Sequence, residues 1–239
     1  MILGFATLVQ PSYMLMPIAL FLSELLGGVC VRKALIRTIL IIIGLIIVVM
    51  PWSIRNVQML GQVVLVSTNG GDVFYRANNP LATGGYVAHG EVSLNLPELE
   101  KNREGYRLGL EWIKNHPIDF LQLAVRKQVL FLGDDAAGAY ESLKRGRESG
   151  DVSGSYALIK AFCNGFWLML WIAVFLSPSW RIIHSSTRSL LLMAVFAYPL
   201  AIDSIFESGG RHHVPVVVIL ALVVAANITQ HAKVVKVLS

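Results

Sequence analysis

Apolar windows recur along the chain at Ile2–Leu22, Ile39–Ile54, Tyr156–Leu176, Leu190–Ile205 and Val214–Ile228, with polar or mixed stretches between them. A bilayer core of roughly 30 Å takes about 20 apolar residues as helix, and the shorter windows reach that length by extending into their flanks. The pattern predicts an all-α polytopic membrane protein of about five transmembrane helices, with an extracytoplasmic mixed, α/β-poor loop domain. Three divisions follow: 1–54 with the first two spans, 55–155 as the loop region, and 156–239 with the last three spans and a tail. Pro11, Pro17 and Pro199 fall inside windows, where neighbouring helices can satisfy freed carbonyls, so kinks are expected there.

The loop region has periodicities of its own. "QVVLVST" is β-branched and bounded by Gly61 and Asn69-Gly70-Gly71, which predicts a short strand entering a turn. Leu99, Arg103, Tyr106, Leu110 and Ile113 alternate at spacings of four and three, the mark of an amphipathic helix. Pro117 opens a second helix with Ile118, Leu121, Val125, Val129 and Leu132 on one face, expected to lie along the membrane surface with Arg126 and Lys127 snorkelling toward head groups. Glu141–Ser155 has the composition of a flexible loop.

Composition agrees with the pattern: of 239 residues 55% are hydrophobic and 15% charged, and the mean hydropathy is +0.62. The formal net charge of +5 raises nucleic acid as a partner. Placement excludes it, because the basic residues cluster beside apolar runs (Arg32, Lys33, Arg37; Arg181, Arg188; Lys233, Lys236) instead of forming a phosphate-binding stripe. These clusters belong on the cytoplasmic side of the inner membrane, so alternation puts 55–155, the turn around Arg211 and Met1 outside. No basic residue precedes Arg32, so a secretory leader is not expected, and an outside start points to preceding spans. Cys30 and Cys163 lie in or beside apolar runs and form no disulfide framework.

Candidate chemistry concentrates in three places. The ribbon Ser67–Tyr86 carries Gly70, Gly71, Gly84 and Gly85 for tight turns, and Asn69, Asn78 and Asn79, which either cap turns or hydrogen-bond a polyhydroxylated ligand. "PWSIRN" ends the second window, where Arg55 either anchors the helix or holds a lipid phosphate. "DSIFESGGRHHVP" places Asp203 and Glu207 one helical turn apart and Arg211, His212 and His213 after a Gly-Gly reversal. Either the acids pair with the bases across the turn, or Arg211 and the histidines bind phosphate. A metal site is not expected, since adjacent His side chains on one helix diverge. His89, His116, His184 and His231 are isolated, and no nucleophile–base constellation is evident.

The ordered set "GFATLVQPSYMLMPIAL", "PWSIRN", "VLVSTNGGDVFYRANNPLATGGY", "NHPIDFLQLAVRKQVLF" and "GGRHHVPVVVILAL" resembles the C-terminal half of bacterial integral-membrane glycosyltransferases of the GT-C class, in the family 39-like group related to protein O-mannosyltransferases and the lipid A aminoarabinose transferase. The resemblance implies a polyprenyl-phosphate sugar donor, chemistry on the extracytoplasmic side and no cofactor. It implies donor-phosphate binding by Arg55, Arg211, His212 and His213, and sugar or acceptor binding by Asn69, Tyr75, Asn78, Asn79 and Tyr86. The family's catalytic carboxylate belongs to the N-terminal half, so no catalytic residue is assigned, and a separate chain is a candidate partner supplying that half. A non-catalytic binding subunit or degenerate remnant is the alternative. A transporter fits less well, because mid-span positions carry almost no ionisable residues.

Overall fold

A computed structural model describes residues 1–85, 95–133, 143, 153–176 and 187–225, with the backbone alone at 153–155, 187–189, 211 and 213. Among them all regular secondary structure is helical. Two helices are long and apolar enough to cross a membrane: α3 (Val31–Leu60, mean hydropathy 2.7) and Tyr156–Leu176 (1.7) within α7 (Ser153–Leu176). Pro11–Leu26, Leu190–Ile205 and Val214–Ala225 are apolar but shorter.

The first predicted span is not one helix. α1 (Ile2–Val9) ends at Gln10, whose backbone is extended, a 3₁₀ turn covers Pro11–Leu15, and α2 (Met16–Leu26) follows. Pro11 and Pro17 open these segments instead of kinking a longer one, as suits a residue without an N–H donor. A Cβ on Gly4 would meet Val48 at 2.6 Å, and one on Gly44 would meet the Met1 nitrogen at 2.8 Å, so α1 runs parallel to α3 and starts at about its middle. α2 returns antiparallel, tied at its far end by the Glu24–Arg37 pair at 2.9 Å. α3 carries Pro51 inside it and stops at Gly61, which adopts φ +67° and donates its N–H to the Val57 carbonyl.

Residues 62–68 form no strand. Their carbonyls are taken by the end of α3: Trp52 Nε1 donates to Val66 at 2.9 Å, Ser53 Oγ to Leu65 at 2.8 Å, and Asn56 Nδ2 to Val64 at 3.1 Å. A helix side replaces a partner strand, which periodicity within the run could not reveal. Nor is the ribbon a plain loop, since Gly70–Ala77 is α4.

α4 crosses α5 (Glu98–Asn115) almost backbone to backbone. A Cβ on Gly71 would overlap the Asn102 carbonyl, one on Gly105 would overlap Gly71, and one on Gly109 would lie 2.7 Å from the Phe74 ring. The buried face of α5 is therefore Gly105 and Gly109, while Tyr106 and Leu110 of the expected apolar face are exposed. On α6 (Pro117–Gly133) the expected apolar face of Ile118, Leu121, Val125, Val129 and Leu132 points outward, and Leu123, Lys127 and Phe131 point in. Lys127 does not snorkel; it is fully buried. Phe131 joins Trp167 and Val174 of α7 with Val216 and Leu220 of the Val214–Ala225 helix (α9) in the main apolar cluster, flanked by Phe196 and Leu200 of α8 (Thr187–Ile205).

Candidate functional site

Where the polar cap of α4 and α5 meets the apolar helices, a cavity of about 1040 Å³ opens. Three walls have distinct origins. The Leu8–Leu15 turn and Trp52 form one, the start of the ribbon (Val66, Ser67, Asn69, Gly70, Val73) with Tyr106 forms the second, and Tyr198–Pro215 forms the third. Tyr13 and Tyr198 stack across the first and third walls with ring centroids 6.2 Å apart, and the Tyr198 hydroxyl donates to the Ser12 carbonyl. Phe74 joins Tyr106 at 5.5 Å and Phe206 at 5.6 Å, binding α4, α5 and the end of α8 together. Burial in this layer raises the Tyr106 phenol above its ordinary value.

The polar end of the cavity holds Asp203, Glu207 and His212. His212 Nδ1 lies 3.1 Å from Asp203 Oδ1, across the 3₁₀ turn Gly210–His213 that links α8 to α9. Glu207 pairs with Arg76 of α4 at 3.7 Å, and Asp72 pairs with Arg76 at 3.5 Å and with Lys101 of α5 at 3.2 Å. Asp203, Glu207, Asp72 and Arg76 are all more than nine-tenths buried. Desolvated charges persist only when opposite charges and hydrogen bonds compensate them, and this network runs through every element of the cap's inner side.

Lys127 is the inner pillar beneath that network. Its Nζ donates to Asn78 Oδ1 and to the Ile205 carbonyl, each at 3.1 Å, and so caps the carbonyl end of α8, where a cation is electrostatically favoured. Burial lowers its ammonium to about 8, with the Asp203 charge opposing the shift.

The structure separates the residues expected to bind ligand. His212 and Asn69 line the cavity. Asn78 and Asn79 are buried and committed to the fold: Asn78 Nδ2 donates to Phe74 and Ile205 carbonyls, Asn79 Nδ2 donates to Tyr75 and Arg76 carbonyls, and Asn79 Oδ1 accepts from the Leu81 amide. Both Nδ2 hydrogens of each are spent inside the fold, the use a turn cap makes of them. Tyr75 is half-buried and outside the cavity wall. Arg55 is exposed and outside the cavity lining, stacks over Trp52 at 5.0 Å and donates to Asn56 Oδ1, contacts that suit an anchor. Tyr86 and the side chains of Arg211 and His213 lie outside the described residues. No sequence pattern singled out Asp72, Arg76 or Tyr13, and the one signal for an inward Lys127 was its position between Leu123 and Phe131 at helical spacing.

Set against models of protein families, curated proteins and solved structures, the chain matches none.

Proposed function

We propose that this chain is the C-terminal portion of an inner-membrane glycosyltransferase of the GT-C class, moving a sugar from a polyprenyl-phosphate donor to an extracytoplasmic acceptor and contributing the ligand-binding cleft. The observation that carries this reading is the position and lining of the 1040 Å³ cavity. One end is aliphatic and aromatic, the other holds two carboxylates and a histidine, and it lies where apolar helices meet a polar cap. An amphipathic ligand with a long apolar tail and a polar head matches both ends, and neither a wholly soluble nor a wholly apolar ligand does.

In this reading the polyprenyl chain lies among Leu8, Pro11, Leu15 and Tyr198, and the outward apolar face of α6 rests on the lipid surface. Arg211, carried by the turn between α8 and α9, is the fixed-charge candidate for the donor phosphate, together with His212 and His213. A carboxylate from the N-terminal half, in the same or a separate chain, would accept the proton of the attacking hydroxyl as its oxygen bonds to the anomeric carbon and the bond from that carbon to the phosphate oxygen breaks, releasing polyprenyl phosphate. The alternative, a non-catalytic binding subunit, uses the same cleft.

Photoreactive polyprenyl phosphate tests the proposal. It should label peptides spanning 8–15 and 198–215, and excess unlabelled polyprenyl phosphate should abolish that labelling. Labelling confined to the exposed face of α3, or indifferent to competitor, would refute it.

A further inference from the structure

We propose that Asp203 is the hydrogen-bond acceptor that orients the hydroxyl-rich head of the ligand at the polar end of the cleft. The proposal deepens the lipid-linked-sugar reading and rests on it.

Asp203 stands on the cavity wall and is 6% exposed. Its Oδ1 is engaged by His212, whereas its Oδ2 is buried and makes no hydrogen bond among the described residues. A buried carboxylate oxygen without a donor is costly, and a donor delivered through the cavity removes that cost. An alkyl hydroxyl is such a donor, and it suits the polar end of a cleft whose other end is apolar. The same cavity is lined by the rings of Tyr13 and Tyr106, which suit the C–H face of a sugar, and by Asn69 of the sugar site expected from the sequence.

Three probes test this on the full chain in nanodiscs, read by calorimetry: farnesyl phosphate, farnesyl-phosphoryl hexose and methyl hexoside. The wild type should bind the sugar-bearing lipid more tightly than farnesyl phosphate. Asp203→Asn keeps the side-chain shape but puts a donor where an acceptor is needed. It should lose about tenfold in affinity for both sugar-bearing probes and keep its affinity for farnesyl phosphate. If Asp203→Asn fails to fold, Ile202→Phe, which narrows the same wall without touching charge, should produce the same selective loss. Unchanged sugar affinity in a folded variant overturns the Asp203 site and leaves the lipid reading standing. Binding of methyl hexoside, lost in Asp203→Asn, with no binding of farnesyl phosphate, sinks the lipid reading and keeps the site. Failure of the wild type to bind any probe overturns both.

Discussion

α3 and the α4–α6 cap are held by opposite means. Of the 30 residues of α3 only Ala34, Leu45, Val49 and Asn56 are buried, and isoleucines and leucines cover its outside. α4, with 8 residues, buries Gly71, Asp72, Phe74, Arg76 and Ala77. The long helix owes its composition to the medium around it, and its contacts occupy a thin stripe. The short helix owes its composition to shape and charge, because two backbones touch and buried ions must find partners. Substitutions should therefore be tolerated in the first region and punished in the second.

The largest effect expected is at the α4–α5 crossing. Gly71→Val would drive side-chain atoms into the backbone carbonyl of Asn102, which cannot rotate away as a side chain can. Destabilisation of about 3 kcal/mol or more follows, roughly 10 °C in thermal unfolding of the detergent-solubilised protein. A shift below about 2 °C would break the comparison.

Next is Lys127→Met, which leaves Asn78 Oδ1 and the Ser204 and Ile205 carbonyls without this donor and should cost about 2 kcal/mol. Its pH dependence has a definite sign. The folded-state value is lowered to about 8 from an ordinary 10.5, so between these values the unfolded chain holds more protons. Stability should rise with pH across that window, by at most about 3 kcal/mol, and Lys127 should contribute no slope below it. Thermal unfolding from pH 7 to 10.5 checks this, because the rise must be smaller in Lys127→Met than in the wild type.

Asn56→Ala is intermediate. It removes the donor to the Val64 and Val66 carbonyls at a residue that is 3% exposed, and should cost about 1 kcal/mol. Proteolysis within 62–69 should accelerate while cleavage elsewhere does not; uniform acceleration would mean that the contact supports the whole fold.

The same contrast explains what could be read from sequence. Periodicity placed α5 and α6 and the long apolar helices, since each is a regular run with one dominant surrounding. It did not reveal the inward faces of α5 and α6, because an apolar stripe points to the core only when the alternative is water. On α6 the strongest apolar stripe faces out, and the inward stripe contains a lysine. The contact of Asp203 with His212 was one of the alternatives that local spacing offered. Arg76 as the partner of Glu207 was not, since that contact joins positions far apart in the chain.

The smallest effect expected is at Gly165, inside α7. A Cβ there meets nothing within 4 Å, unlike Gly71, where the same atom meets backbone. In a water-exposed helix, alanine would gain up to about 1 kcal/mol over glycine by narrowing the unfolded ensemble. In lipid the helix is already enforced by the need to satisfy backbone groups, so that gain shrinks. Gly165→Ala should therefore change stability by less than about 1 kcal/mol, read as a thermal shift of no more than about 3 °C. A larger loss would mean that another surface approaches this face of α7 too closely for a methyl group, which makes Gly165 a probe for a second chain against the bundle. Measuring the variant with and without a co-expressed chain supplying the proposed N-terminal half separates the two cases, because lipid on that face predicts the same small shift in both.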